Sequence, residues 1–138
     1  MHLLPLQLRF NDIDMMGHVN NAIYLEFFDL GKERYFADSK MDLYNSDFTL
    51  MIVHVDVDFH RQVHFTDTIG VTSRVVRYGR KSLDFEQQIV LLNPDGSIKE
   101  EEAPMAVCRT VMSGYSRKAK VSAVIPDEVK QRLSILSD

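Results

Sequence analysis

The chain has 138 residues, 45% of them hydrophobic and 26% charged, with a net charge of −4 from sixteen Lys and Arg against twenty Asp and Glu. That is the make-up of one ordinary globular domain over residues 1–138, long enough to bury a core without a disulfide or metal staple, and neither a disordered chain nor a general nucleic-acid binder, which would carry a basic excess. The one cysteine, Cys108, excludes an internal disulfide and a Cys-based zinc site and suits a reducing compartment.

In chain order, Leu4 to Phe10 predicts a short strand, with Leu4, Leu6, Leu8 and Phe10 alternating against polar or Pro positions. Pro5, the lack of a basic leader and the lack of a cleavage site argue against a targeting segment. No apolar run approaches the roughly twenty residues that span a bilayer, so the expected location is the cytoplasm. A polar stretch, Asn11 to His18, precedes a helical period from about Val19 to Ala37. On that helix Val19, Ile23, Phe27 and Leu30 form one stripe and Tyr24, Phe28, Gly31 and Tyr35 the next. Glu26, Asp29, Lys32 and Glu33 take the opposite side. So broad an apolar arc predicts a helix partly enveloped by its neighbours, with Gly31 letting a backbone approach.

Beyond a polar connection, Ser39 to Ser46, the rest reads mostly as strand. Met51, Val53, Val55, Val57 and Phe59 alternate strictly with Ile52, His54, Asp56, Asp58 and His60, predicting one buried face. Thr68 to Tyr78 alternates less regularly, and Tyr78-Gly79-Arg80-Lys81 reads as its turn. Ser82 to Leu92 puts Leu83, Phe85, Ile89 and Leu91 on one face, and Asn93-Pro94-Asp95-Gly96 is a strong turn signal. A partner strand is expected over Ser97 to Gly114, broken near Pro104, and a short helix starts at Ile125-Pro126-Asp127-Glu128. Strands joined by such tight turns pair antiparallel, which predicts an α+β domain whose sheet curls around the long helix.

The segment richest in chemistry is Arg9 to Tyr24, RFNDIDMMGHVNNAIY. Asp14, Gly17, His18, Asn20 and Asn21 stand immediately before the long helix. Free amides at a helix start make a cradle for an anion, and a carboxylate and an imidazole beside it supply acid–base chemistry. The plainer alternative is a helix cap, with Asn20 as the capping residue and Asp12 as a turn carboxylate.

The run D-x-D-x-x-G-H-V-N-N-x-x-Y resembles the signature of the hotdog-fold acyl-CoA thioesterases of the 4-hydroxybenzoyl-CoA thioesterase type, nearest to the bacterial long-chain acyl-CoA branch. The similarity continues through YLEFFDLGKERYF, Val57-Asp58-Phe59, Asp67-Thr68 and the turn from Gly79 to Ser82. It implies a hotdog fold, homodimers or homotetramers with active sites between subunits, and hydrolysis of acyl-CoA to free acid and coenzyme A without metal or organic cofactor. By position, Asp14 matches the general base or nucleophile, the Asn21 backbone N–H the oxyanion donor, and His18 a residue that lines the site. Gly17, Asn20 and Tyr24 belong to the same substrate-binding motif. Arg77, Arg80, Lys81 and Ser82, with Arg61 as a weaker candidate, are expected to hold the phosphates of coenzyme A. An acyl-ACP thioesterase and a non-hydrolytic acyl-thioester binder are the alternatives. Met16, where the acyl-ACP enzymes carry Asn, argues against the first.

Two further sets are expected to be inert. Same-side residues on a strand are about 6.8 Å apart, so His54, Asp56, Asp58 and His60 cannot close on one ion and read as a polar outer face or a subunit contact. Cys108 reads as buried and unreactive. No nucleophile-elbow or phosphate-loop motif occurs.

Overall fold

The computed structural model describes residues 1–43 and 45–137; Tyr44, within the connection after the long helix, and the terminal Asp138 lie outside the described residues. The described elements are β1 (His2–Leu6), a 3₁₀ turn (Phe10–Asp12), α1 (Asn21–Asp38), β2 (Phe48–Phe59), β3 (Ile69–Tyr78), β4 (Ser82–Leu91), β5 (Ala106–Ser116), β6 (Val121–Ser122) and α2 (Asp127–Ser137). The strands form one antiparallel sheet in the order β1-β3-β4-β5-β2, with β6 beside β5. Helix α1 lies across one face of this curled sheet, the α+β arrangement expected from the element order.

What buries α1 is an arc of Tyr24, Phe27, Phe28, Gly31, Lys32, Tyr35 and Phe36. Around its N-terminal half Val63, Ile69, Val71, Ile89, Met105 and Ala106 form one apolar cluster. Around its C-terminal half Leu50, Val75, Leu83, Phe85, Met112, Ile125 and Leu133 form another. Between them buried Gln87 of β4 donates from Nε2 to the carbonyl of Phe28 at 2.8 Å, pinning helix to sheet. Gly31 permits this approach: a Cβ there would stand 2.7 Å from Cγ1 of Val71 and 3.0 Å from Nε2 of Gln87. The arc is rotated from the one expected. Leu30 is exposed, and Lys32 is buried with its Nζ 3.6 Å from an Asp29 oxygen, its stem covering apolar surface while its charge reaches outward.

Asn20 caps the helix as expected, its Oδ1 accepting from Ala22 N at 2.9 Å. Replacing Asn20 with Ala is expected to lower stability by about 1 kcal/mol, read as a shift in the urea midpoint with an unchanged denaturant slope.

Several expectations are corrected by packing. The first strand ends at Leu6, and Phe10, predicted as its last inward residue, stands 85% exposed on the 3₁₀ turn. The strict alternation across β2 is broken by a bulge between Ile52 and His54. Register with β5 then puts Leu50, Ile52, Val55, Val57 and Phe59 on the helix side, and Met51, His54, Asp56 and Asp58 on the outer side, so Met51 points the opposite way from the prediction. A similar bulge at Val76 accounts for the irregular pattern of β3. Residues 97–105 are not strand. Their backbone turns at Glu102 N to Lys99 O, and pairing with β4 resumes at Ala106, after Pro104. The strand β6 carries no periodic signal of its own.

β2 is an edge strand, and among the described residues no strand pairs with its outer edge. Along it Met51, Ile52, Val53, Val55 and Phe59 are each exposed by more than two-fifths in one chain. The face predicted to be buried is thus open to solvent over most of its length.

Candidate active site

Residues 12–20 form a small hairpin that leads into α1. Its base is closed by Asn20 N donating to Asp12 O at 3.0 Å and by a bridge between Ile13 and Val19. Asp12 is fully buried and holds Arg9 through backbone and guanidinium at 2.9 Å each, while the same guanidinium reaches Glu26 on α1 at 3.5 Å. These acidic neighbours raise the Arg9 guanidinium further above its ordinary range. Asp12 is thus the structural carboxylate that the plainer reading predicted.

Asp14 stands nearer the tip. Its N–H donates to His18 O at 2.8 Å, and its Oδ1 accepts from Met16 N at 2.9 Å and His18 N at 3.2 Å. Its other oxygen, Oδ2, has no partner among the described residues. One oxygen of the carboxylate therefore orients the group and the other is free to act. Gly17 makes the turn possible with φ +80, a conformation costly for residues with a Cβ. Its N–H donates to Asp14 O at 3.1 Å.

The cradle at the helix start is narrower than the sequence suggests. The Asn20, Ala22 and Ile23 amides are taken by Asp12 O, Asn20 Oδ1 and Asn20 O. Of the four amides from residue 20 to 23, only that of Asn21 lacks an acceptor among the described residues. Asn21 lines a recess of about 100 Å³ with Tyr24, Phe59, His60, Arg61 and Gln62. At its floor Tyr24 is buried, its hydroxyl accepting from Val63 N at 3.1 Å, and burial pushes its phenol up from the ordinary value. Asp14 does not line that recess in one chain.

The remaining candidates divide. Arg61 is occupied, donating to Glu102 at 2.9 Å and to Ala103 O at 2.6 Å. Arg77 is bidentate to Asp84 at 2.7 and 3.0 Å, which holds the Asp84 carboxyl below its usual range, and its guanidinium also reaches Ser82 Oγ at 3.4 Å. The Arg80 and Lys81 side chains are exposed and carry no partner among the described residues. This basic turn sits at the far end of the sheet from the hairpin, about 30 Å away along β3 and β4. A single chain does not bring it to Asp14.

His64, passed over in the sequence, and Asp67, noted there only within the family similarity, stand against the hairpin. His64 pairs with His18 in an isolated antiparallel bridge, their rings edge to face at 5.1 Å, and Asp67 holds His64. No spacing rule could have found a partner 46 positions away; only the turn-forming His64 to Asp67 pattern was visible locally. Elsewhere, His54 and Arg109 pair with Asp56, and Arg109 with Asp58, on the outer face of β2. His60 has left that row for the recess beside Asn21. Among the described residues no three His, Cys, Asp or Glu side chains gather as a metal set. Burial pushes the Cys108 thiol up, as fits an unreactive core residue.

Residues 8–133 match the sequence profile of the thioesterase-like superfamily. The chain belongs to that family. It is similar to the long-chain acyl-CoA thioesterase FadM of Escherichia coli (strain K12), 27% identical over 132 residues and 93% of each chain. Its structure is similar to that of a Pseudomonas aeruginosa strain PAO1 protein, with a TM-score of 0.80 and 27% identity over 100% of this chain and 92% of the other. It is likewise similar to a Thermus thermophilus thioesterase solved with coenzyme A and Zn, with a TM-score of 0.77 and 27% identity over 98% of this chain and 92% of the other. The fold is the hotdog fold, and the family and thioesterase class implied by the D-x-D-x-x-G-H-V-N-N motif are borne out. No described helix is long and apolar enough to cross a membrane.

Proposed function

We propose that this hotdog thioesterase hydrolyses acyl-CoA at the Asp14 hairpin. The observation that carries the reading is the Asp14 carboxylate held through Oδ1 by two amides, with Oδ2 free, on the hairpin that ends at the unpaired Asn21 N–H. A thioester carbonyl is electrophilic and its thiolate leaves readily, so a base and an oxyanion donor are sufficient. Asp14 Oδ2 accepts a proton as water bonds to the carbonyl carbon, and the carbonyl oxygen, now negative, accepts from Asn21 N–H. Collapse breaks the carbon–sulfur bond, releasing coenzyme A thiolate and the free acid. Direct attack by Oδ2, with water opening the resulting anhydride, uses the same residues. His18 lines the site, and neither route calls for a metal or organic cofactor. Coenzyme A as carrier is supported by the E. coli and T. thermophilus relatives and by Met16, which departs from the acyl-ACP pattern.

The two separated halves of the site are reconciled by a homodimer through β2. Antiparallel twofold pairing of two β2 edges sets the Phe48 end of one beside the Phe59 end of the other. The Phe48 end of the sheet carries Ser116, Ser82 and the basic 79–81 turn, and the Phe59 end carries the Asn21 recess. The partner's basic turn then reaches the hairpin's end of the sheet, three strand spacings or about 15 Å from β2. On this reading the double change Arg80→Ala and Lys81→Ala raises KM for acyl-CoA about tenfold, leaves kcat within about twofold, and weakens the salt dependence of KM, as loss of phosphate contacts requires. Steady-state kinetics at two ionic strengths checks it.

The function itself is tested by following thiol release across short, long and aromatic acyl-CoAs, with an acyl-ACP series alongside and Asp14→Asn as control. Turnover of acyl-CoA that the control lacks is the expected result. Acyl-CoA binding with no thiol released from any substrate would make the protein a non-hydrolytic binder.

A further inference from the structure

The hairpin that carries Asp14 is supported from two sides. On one side Asp12 closes its base, its carbonyl accepting from Asn20 N and its carboxylate holding Arg9. On the other lies the segment from Val63 to Asp67, which precedes β3 and has no part in the chemistry described above. Val63 accepts from Val19 N at 2.9 Å, and its own N–H goes to the Tyr24 hydroxyl, so the segment is anchored to α1 as well. The next residue, His64, faces His18 both through the backbone bridge and through the edge-to-face ring contact at 5.1 Å, with 75° between the rings. Asp67 fixes His64 in turn. Its carboxylate accepts from His64 N at 2.8 Å and lies 3.7 Å from Nδ1 of the ring, while Asp67 N donates back to His64 O at 3.0 Å.

His18 matters to Asp14 through its main chain. Its N–H is one of the two donors on Asp14 Oδ1, and its carbonyl accepts the Asp14 N–H. Whatever holds His18 therefore helps to set, with the Met16 amide, where the free Oδ2 points. The tip around it, with Met15 fully exposed and Met16 and Gly17 exposed, offers no packing of its own that could do so. We propose that His64, seated by Asp67, is a positioning residue for Asp14: its ring and backbone brace His18, and His18 aims the carboxylate. This rests on the reading of Asp14 as the reacting group and adds a residue to it. A reacting atom displaced by a fraction of an ångström loses rate without losing substrate affinity, so the effect belongs in kcat and not in KM.

Two substitutions at one position separate bracing from mere bulk. In His64→Ala the ring contact is gone. In His64→Phe an edge-to-face ring remains, without nitrogens. With palmitoyl-CoA as substrate, His64→Ala is expected to lower kcat about tenfold with KM within about twofold, and His64→Phe to recover most of the loss, both proteins melting cooperatively. In the same set, the His18 amide should exchange its hydrogen about tenfold faster in the Ala protein and near the parental rate in the Phe protein. A His64→Ala enzyme as fast as the parent, or a His64→Phe enzyme as slow as His64→Ala, would overturn the bracing role while an inactive Asp14→Asn control leaves the catalytic reading standing. Should Asp14→Asn stay active, the catalytic reading falls, and unchanged His18 exchange in His64→Ala would remove the brace with it.

Discussion

Asp14→Asn is expected to lower acyl-CoA turnover by about 10²–10⁴-fold, the range over which a positioned general base contributes, with KM and melting temperature nearly unchanged. The substitution is conservative in one respect that the geometry makes explicit. An amide oxygen at the Oδ1 position still accepts from Met16 N–H and His18 N–H, so the hairpin keeps its shape. What disappears is the unpartnered Oδ2, replaced by an NH₂ group that can neither take a proton from water nor attack a carbonyl. Asp14→Ala makes the useful contrast. It removes the acceptor of both amides as well, so it should lose activity and loosen the hairpin together, read as faster exchange of the Met16 and His18 amides. Thiol release and thermal melting on the two variants separate chemistry from support. An Asp14→Asn protein that turns over near the parental rate would remove Asp14 from the reaction.

The second large effect is expected at the sheet edge. On the proposed dimer, Val53→Asp should give a 15.9 kDa monomer by sedimentation and abolish turnover, while Ile135→Asp, at a still more exposed apolar position on α2, changes neither. Val53 is the bulged residue of β2 and 62% exposed, in the middle of a strand with no Pro or Lys to protect its edge. In the proposed dimer, a twofold pairing centred on β2 sets each Val53 near its copy, so the substitution brings two carboxylates together in a dehydrated seam, a juxtaposition that costs several kcal/mol. Activity should fall with the dimer because the basic turn and the hairpin occupy opposite ends of one chain. A wild-type protein that sediments as an active monomer, or a Val53→Asp protein that remains dimeric, would refute the shared site.

The hairpin is the part of the site most nearly legible in the sequence, because its interactions are local. Asp14, Gly17, His18, Asn20 and Asn21 lie within eight positions, and turn, cap and carboxylate act on neighbours a few residues away. In the sequence the capping reading and the catalytic reading are rivals; the structure shows the cap, and its geometry leaves Asp14 placed as the proposed catalytic role requires. Asn20 caps α1, Asp12 is structural, and Asp14 uses one oxygen for the turn while the other stays free. The number of open amides was not legible, since the hairpin closure, the Asn20 cap and the first helical turn together consume all but one of those from residue 20 to 23. The basic turn was found by composition, but its Arg77 is spent on Asp84, a cross-strand neighbour that register alone reveals. His64 was missed because its importance comes from facing His18, and nothing in its own surroundings signals that.

By itself the sequence determined the α+β order, the long helix with its close-packed Gly31, the turns at 79–81 and 93–96, and the family motif. Each of these is written in short-range periodicity or in residue types that the backbone requires. Only the tertiary structure decided the phase of β2, the burial of Lys32, the exposure of Phe10 and Leu30, and the brace on the Asp14 hairpin. Those depend on which strand lies beside which and on where a bulge shifts the register by one residue. A one-residue shift turns every later side chain to the other face, and no local pattern can announce it.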